Sequence, residues 1–276
     1  MLSIAFLILI SCVTAFSISN AQSNFLINPG FENGFRTYNN IGVLYVGNGW
    51  TPWYQENVRS PGGVTYFRPE YKEETIGVGS GRVLEGNSSQ KMFTTYAPHN
   101  GGAYQRVSTV PGRCYEFGGS VYIWSSSEND PNISVKPGRY RALVGANPWG
   151  SADIMSDTTL WGKEVVDVYD RWVDLDVQFE AWSTSAIVVF RGNPWYGVHH
   201  NDSYWDKMYV MEISCPGVSG PTPTPYPTYT PYPTPVPCGT PVPGNCPTKE
   251  EIASEVWLTG IPLLRELLAS IRIYFP

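Results

Sequence analysis

Two stretches of this chain alternate between apolar and polar positions. In "RWVDLDVQFEAW", beginning at Arg171, Val173, Leu175, Val177, Phe179 and Ala181 fall on one face, with Asp174, Asp176, Gln178 and Glu180 on the other. In "CYEFGGSVYIW", beginning at Cys114, the same period groups Tyr115, Phe117, Val121 and Ile123. Successive side chains of a strand point to opposite faces, so both stretches predict half-buried antiparallel strands. "SAIVVFRG" from Ser185 and "KMYVMEISC" from Lys207 read as two more. Turn-forming clusters such as Pro61-Gly62-Gly63 and Asn129-Asp130-Pro131-Asn132 punctuate the strands. Short strands at turn-rich intervals, without a long helical period, predict an all-β fold: a two-sheet antiparallel β-sandwich of jelly-roll type.

The pattern changes on both sides of this unit. Met1 to Phe16 is uncharged and almost wholly apolar, and small residues follow at Ser19-Asn20-Ala21. This predicts a signal peptide over 1–21, the run being short for a membrane span, and no span is expected once it is removed. Residues 22–216 form the expected sandwich domain. Over 217–247 the text turns to "PTPTPYPTYTPYPTPVPCGTPVPGNCP". Proline removes backbone donors and fixes φ, so this Pro/Thr-rich linker is expected to extend as a polyproline II spacer. In 248–276, Thr248 and Glu251 suit a capping box, and Leu263, Leu264, Leu267, Leu268 and Ile271 line one face of a short helical tail. Docking of that tail on the sandwich, on a partner or on a membrane surface all stay open.

Four cysteines follow the signal segment, and an even count in an exported chain predicts disulfides. Cys238 and Cys246 flank a short loop and are expected to pair locally, which leaves Cys114 with Cys215. The charge of -6, with 15% charged residues, offers no basic stripe for nucleic acid. Aromatics reach 14%, and every tryptophan but Trp257 precedes the linker. Pyranose rings lie their C–H faces on indole and phenol rings while amides, carboxylates and guanidinium groups take the hydroxyls. The candidates are the loop aromatics Trp53, Tyr54, Trp149, Trp195 and Tyr196, with Tyr122 and Trp124 flooring a cleft and Arg68 and Glu70 contacting hydroxyls. Trp50, Trp172 and Trp205 are assigned to the core.

Further motifs, in order along the chain, are similar to those of a known family. "FLINPGFENGF" (25–35), Gly49-Trp50, "AYQRVSTVPGRCYEFGGSVYIW" (103–124), "RWVDLDVQFEA" (171–181) and "YWDKMYVMEI" (204–213) together resemble galactose-binding-like jelly-roll modules, specifically carbohydrate-binding modules of families four, nine, sixteen and twenty-two. The resemblance implies glycan or polysaccharide binding without catalysis. It also implies a structural Ca²⁺ between the first turn and the last strand, held by the Gly30 carbonyl, Glu32 and Asp206, with Asn87 and Gln90 as further ligands.

Enzyme chemistry has less support. Glu70, Asp153, Asp202 and Asp206 could pair as glycosidase carboxylates on paper, but no motif marks a pair. His199-His200 beside Asp202 has no zincin spacing, and no Ser sits in a nucleophile elbow. "HNDSYWD" (200–206) reads as a loop entering the last strand, with Asn201 and Asp202 satisfying backbone groups. The expected protein is a secreted or cell-surface, non-catalytic glycan-binding module. The alternative is a structural or adhesive surface protein whose rings meet protein.

Overall fold

The computed structural model describes residues 23–76 and 81–216. The expected signal peptide (1–21), linker (217–247), helical tail (248–276) and Cys238–Cys246 pair lie outside the described residues.

Thirteen strands are described. They are β1 (Phe35–Thr37), β2 (Tyr45–Gly47), β3 (Thr51–Gln55), β4 (Glu70–Thr75), β5 (Ser88–Thr94), β6 (Asn100–Ser108), β7 (Cys114–Ser126), β8 (Arg141–Asn147), β9 (Leu160–Trp161), β10 (Val165–Val166), β11 (Trp172–Glu180), β12 (Ser185–Gly192) and β13 (His200–Ile213). One sheet has five strands in the order β11-β7-β13-β5-β4. The other has six, in the order β10-β8-β12-β6-β3 with β9 paired to β8, while β1 and β2 form a separate pair. Every pairing between these strands is antiparallel, as the alternation predicts.

The period-two positions become the layer between the sheets. Phe117, Val121 and Ile123 of β7, Leu175, Val177 and Phe179 of β11, and Trp205 and Val210 of β13 join Ala142, Val144 and Ala146 of β8 and Val188 and Phe190 of β12 in one buried cluster. At its centre Phe190 lies 4.6 Å from Trp205 and 5.4 Å from Trp50, and Phe31 lies 5.6 Å from Trp50. Full burial of each such ring is worth about 2–3 kcal/mol, which makes this aromatic knot a principal source of stability. Trp50 and Trp205 are therefore core, as expected. Trp172 is half-buried at the sheet edge, where its indole N–H donates to the Gly81 carbonyl at 2.9 Å.

A buried polar chain also crosses the interior. The Trp205 indole and the Tyr140 hydroxyl both donate to Ser203 Oγ (3.0 and 2.8 Å), which itself donates to the Met92 carbonyl. His99 Nε2 meets the Tyr140 oxygen at 3.0 Å and Nδ1 meets Thr94 Oγ1 at 2.8 Å. Burial disfavours the imidazolium, so His99 is neutral, with one ring nitrogen donating and the other accepting according to its tautomer. The Cys114–Cys215 disulfide closes the domain, joining the start of β7 to the residues after β13 with Cα atoms 5.0 Å apart.

"HNDSYWD" differs from expectation. It is the first half of β13 itself, paired with β5 on one side and β7 on the other. Asn201 does satisfy backbone, donating to the Ala97 and Tyr196 carbonyls. Asp202 instead takes side-chain partners, Lys91 at 2.8 Å and the Tyr204 hydroxyl at 3.1 Å. A central strand satisfies its own backbone through the ladder, so its carboxylate is left to pair with other side chains.

Candidate functional site

If Ala103 and Val107 of β6 face the core, Gly102, Tyr104 and Arg106 face outward. The same parity turns Trp53 of β3, Ile187, Val189 and Arg191 of β12, and Gly145 and Asn147 of β8 to the outer face of the six-stranded sheet. Register then builds two rows. One runs Thr51, Tyr104, Val189, Gly145, Trp161; the next runs Trp53, Gly102, Arg191, Leu143. The glycines make room for the rings. A Cβ on Gly145 would lie 2.6 Å from the Trp161 ring, and one on Gly102 would collide with the Phe190 carbonyl. Trp53, Tyr104 and Trp161, all half-buried, pack around buried Ile154, Ile187 and Val189.

Polar groups stand beside these rings. Arg191 Nε donates to Asn100 Oδ1 at 2.6 Å, and Asn100 Nδ2 donates to Gln55 Oε1 at 2.6 Å. The guanidinium lies 5.4 Å from the centre of the Trp161 ring. Burial lowers the Arg191 pKa from its ordinary value, Tyr66 and Glu164 oppose that shift, and the Arg141 charge adds to it. Toward one end of the sheet, Trp195 carries the guanidinium groups of Arg139 and Arg141 at 4.4 and 4.6 Å. Arg141 is also ion-paired to Glu164. Half-uncovered rings flanked by a guanidinium and two amides can stack an apolar sugar face and bond its hydroxyls together.

The structure sorts the candidate residues. Trp53 lies on this face, with Trp195 half-buried and Tyr196 exposed near one end. Trp149 is 52% exposed in the segment after β8, edge-on to Trp182 at 4.8 Å. Tyr54, one residue out of phase with Trp53, packs with Leu44, Tyr71 and Met92 instead. Glu70 belongs to the other sheet, opposite Phe93 and ion-paired to Lys72, and Arg68 is exposed before β4. Neither is placed beside Trp53 by strand register.

Tyr122 and Trp124 are outward on the five-stranded sheet but do not floor an open cleft. They are 7% and 5% exposed. The Arg82 guanidinium lies 4.4 Å from the Trp124 ring, 4.9 Å from that of Tyr204 and 6.0 Å from that of Tyr122. It donates to the Tyr204 oxygen at 2.7 Å and the Pro131 carbonyl at 2.8 Å. The Trp124 indole donates to the Asp130 and Ile133 carbonyls. His200 stacks on Trp124 at 4.2 Å, followed by His199 and Tyr96. Burial pushes the His200 pKa down, against the pull of Asp202. A cation and loop carbonyls cover what the alternation alone leaves outward.

Tyr104, Trp161, Arg191, Asn100 and Gln55 were not among the sequence candidates. Register in "AYQRV" carries a signal for Tyr104, because it is out of phase with Ala103 and Val107. Trp161 has no such signal, since its strand is two residues long.

The expected calcium ligands gather in part. Asp206 is buried, its Oδ2 accepting the Leu84 and Glu85 N–H groups and its Oδ1 that of Lys207. Glu32 Oε1 accepts the N–H groups of Asn87 and Ser88, and Oε2 accepts the Asn87 amide. Gly30 sits between them: a Cβ there would lie 3.8 Å from Glu32 Cγ and 3.9 Å from Asp206 Oδ1. Burial raises the Asp206 pKa, three backbone donors lower it, and the Glu32 charge raises it again. Gln90 does not join this cluster. Its amide serves the backbone of Tyr45, Gly47, Lys72 and Lys91, a buried junction that needs all its polar atoms.

No family model matches this chain, and no curated protein matches it. Among solved structures it is similar to the family 61 carbohydrate-binding module TmCBM61 in complex with beta-1,4-galactotriose, at TM-score 0.44 and 13% identity over 69% of this chain and 99% of that one. It is also similar to the CBM22-1 xylan-binding domain of Xyn10C from Paenibacillus barcinonensis, at TM-score 0.40 and 15% identity over 71% and 97% of the two chains. A third similar structure is the enzymatically active domain of tailspike protein 4 of bacteriophage CBA120, at TM-score 0.43 and 11% identity, covering 69% of this chain and 21% of that one.

Proposed function

We propose that this chain is an exported, non-catalytic module that binds polysaccharide on the outer face of its six-stranded sheet. The observation that carries this reading is the half-uncovered set Trp53, Tyr104 and Trp161 around Val189, with the Arg191–Asn100–Gln55 chain alongside. Rings wholly committed to folding would be covered, as Tyr122 and Trp124 are on the opposite sheet. Among the described residues no helix is long and apolar enough to cross a membrane. A glycan array followed by titration calorimetry tests the reading: saturable binding lost in Trp53→Ala and Trp161→Ala supports it. Silence across all glycans, with binding to a protein surface instead, moves the chain to the adhesive alternative.

The proposal includes a structural calcium ion. Counting lone pairs, Glu32 Oε2 and Asp206 Oδ1 each keep an acceptor site after their hydrogen bonds. These two atoms, the Gly30 carbonyl and water are oxygen ligands of the hard type that Ca²⁺ selects. A cation would also offset the repulsion between the carboxylates. Chelation should then lower the melting temperature, and Glu32→Gln should abolish that response.

A further inference from the structure

The charges of this acidic chain are not evenly spread over its two outer faces. On the five-stranded sheet, outward positions carry Asp174, Asp176, Glu180, Glu116, Glu70, Glu74 and Asp202 against two lysines, Lys72 and Lys91, so that this face is acidic on balance. On the six-stranded sheet, the outward positions of β3, β6, β8 and β12 carry Arg106, Arg141 and Arg191 and no carboxylate. Arg141 has its counterion in Glu164. Arg106 and Arg191 form no ion pair among the described residues, although the charge of Glu164, already paired with Arg141, also reaches Arg191.

Arg191 is the informative member. A cation drawn away from water normally finds a carboxylate, because desolvation without a counter-charge is costly. Arg191 is half-buried and held through Nε by Asn100, and its two terminal nitrogens have no acceptor among the described residues. Register sets it one strand from Gly102, beyond which Trp53 stands, and beside the Trp161 ring. A pyranose stacked on either indole would bring a ring substituent to the free edge of the guanidinium. That edge is a planar fork, which matches a carboxylate in two parallel hydrogen bonds and gains less from a hydroxyl.

Arg106 repeats the arrangement further along the same face. It lies opposite Ile187, four residues from Arg191 along β12, a separation of about 13 Å at strand spacing. Its Nη1 donates to Ser185 Oγ at 3.0 Å, and a Cβ on Gly150 would lie 3.0 Å from that same nitrogen. Trp149, next to Gly150, and Trp182 are 52% and 55% exposed. A second cation thus stands beside a second pair of open rings, at a distance that suits an oligosaccharide better than one sugar.

We infer that the polysaccharide bound here is acidic, a uronic-acid polymer whose carboxylates are taken by Arg191 and Arg106 while its rings stack on the neighbouring indoles. The inference rests on the polysaccharide-binding reading above and deepens it. The test is calorimetric titration of the full chain with polygalacturonate, its methyl ester, neutral xylan and a sulfated galactan, at low and high salt. Polygalacturonate should bind at least about tenfold tighter than its methyl ester, a preference that shrinks as salt screens the charges. Arg191→Gln, whose amide nitrogen can still donate to Asn100, should abolish the preference for the acid over its ester while the melting temperature persists; Arg106→Gln, at an exposed position, should weaken that preference with the melting temperature again unmoved. Equal binding of the acid and its ester, or a preference intact in both variants, would overturn the inference and leave polysaccharide binding standing. A sulfated galactan bound as tightly as polygalacturonate would overturn the carboxylate assignment. Binding of no polysaccharide would remove the underlying reading with it.

Discussion

On the five-stranded sheet, the outward rings of Tyr122, Trp124 and Tyr204 lie beneath the Arg82 guanidinium; on the six-stranded sheet, Trp53, Tyr104 and Trp161 stand half-uncovered beside Arg191. Both faces combine rings with an arginine, so side-chain type does not separate them. The partners of the guanidinium do. Arg82 spends its terminal nitrogens on the Tyr204 oxygen and the Pro131 carbonyl and fastens a loop over the rings. Arg191 is anchored only through Nε to Asn100, leaving the rest of its fork for a visitor. A cation over an aromatic ring is a structural cap where protein acceptors hold its terminal nitrogens, as at Arg82, whose buried Nε alone lacks one; on the proposed reading it is a recognition element where those nitrogens are left free.

The largest expected effect lies in the layer that supports both faces. Burial lowers the His99 pKa to about 3, against 6.5 for a free histidine. Between those values the unfolded chain takes up a proton that the folded chain refuses. Stability from this group is therefore complete above about pH 6.5 and is lost as pH falls toward 3, by on the order of 4 kcal/mol. Urea midpoints from neutral to acid pH measure this, and His99→Gln should flatten that limb. Ligand binding should fail only where the fold fails; loss of binding well above the unfolding range would show that the open face carries a titrating group of its own.

Arg82→Ala divides the faces next. It removes two hydrogen bonds and the cation from the covered rings, at a cost of about 3 kcal/mol in urea unfolding, and should leave glycan affinity unchanged. Lost affinity without lost stability would mean that the sealed face is the binding face. Trp161→Ala is the converse: about 2 kcal/mol of binding, roughly thirtyfold, should disappear while the melting temperature moves little, because the ring is half in water. Smallest is Trp149→Ala, expected to cost about 1 kcal/mol of binding to long chains and nothing measurable to short ones.

The strands from Cys114 and Arg171 were legible because their alternation is unbroken, and the structure keeps their inward sets. Trp53 was legible as a ring left partly uncovered, but it and Tyr54 were read as loop residues and lie in β3, where neighbours face opposite ways and only Trp53 meets the outer face. Tyr122 and Trp124 were correctly outward of the core but not open, since the residue that covers them, Arg82, lies some forty positions earlier in the text. Trp161 left no trace because a two-residue strand has no period. The Cys114–Cys215 pairing followed from the cysteine count and is present.

Local pattern alone determined that this chain folds into antiparallel strands with a particular inward face, since period two is a property of the backbone and needs no distant partner. It also determined that aromatic rings would outnumber what ordinary loops require. Which of the outward rings meet solvent was decided only by tertiary structure. That choice depends on how far returning segments cover each sheet, since Ile154 also packs over Ile187 and Val189, and on whether each arginine finds its acceptors there, contacts made between residues far apart in the chain.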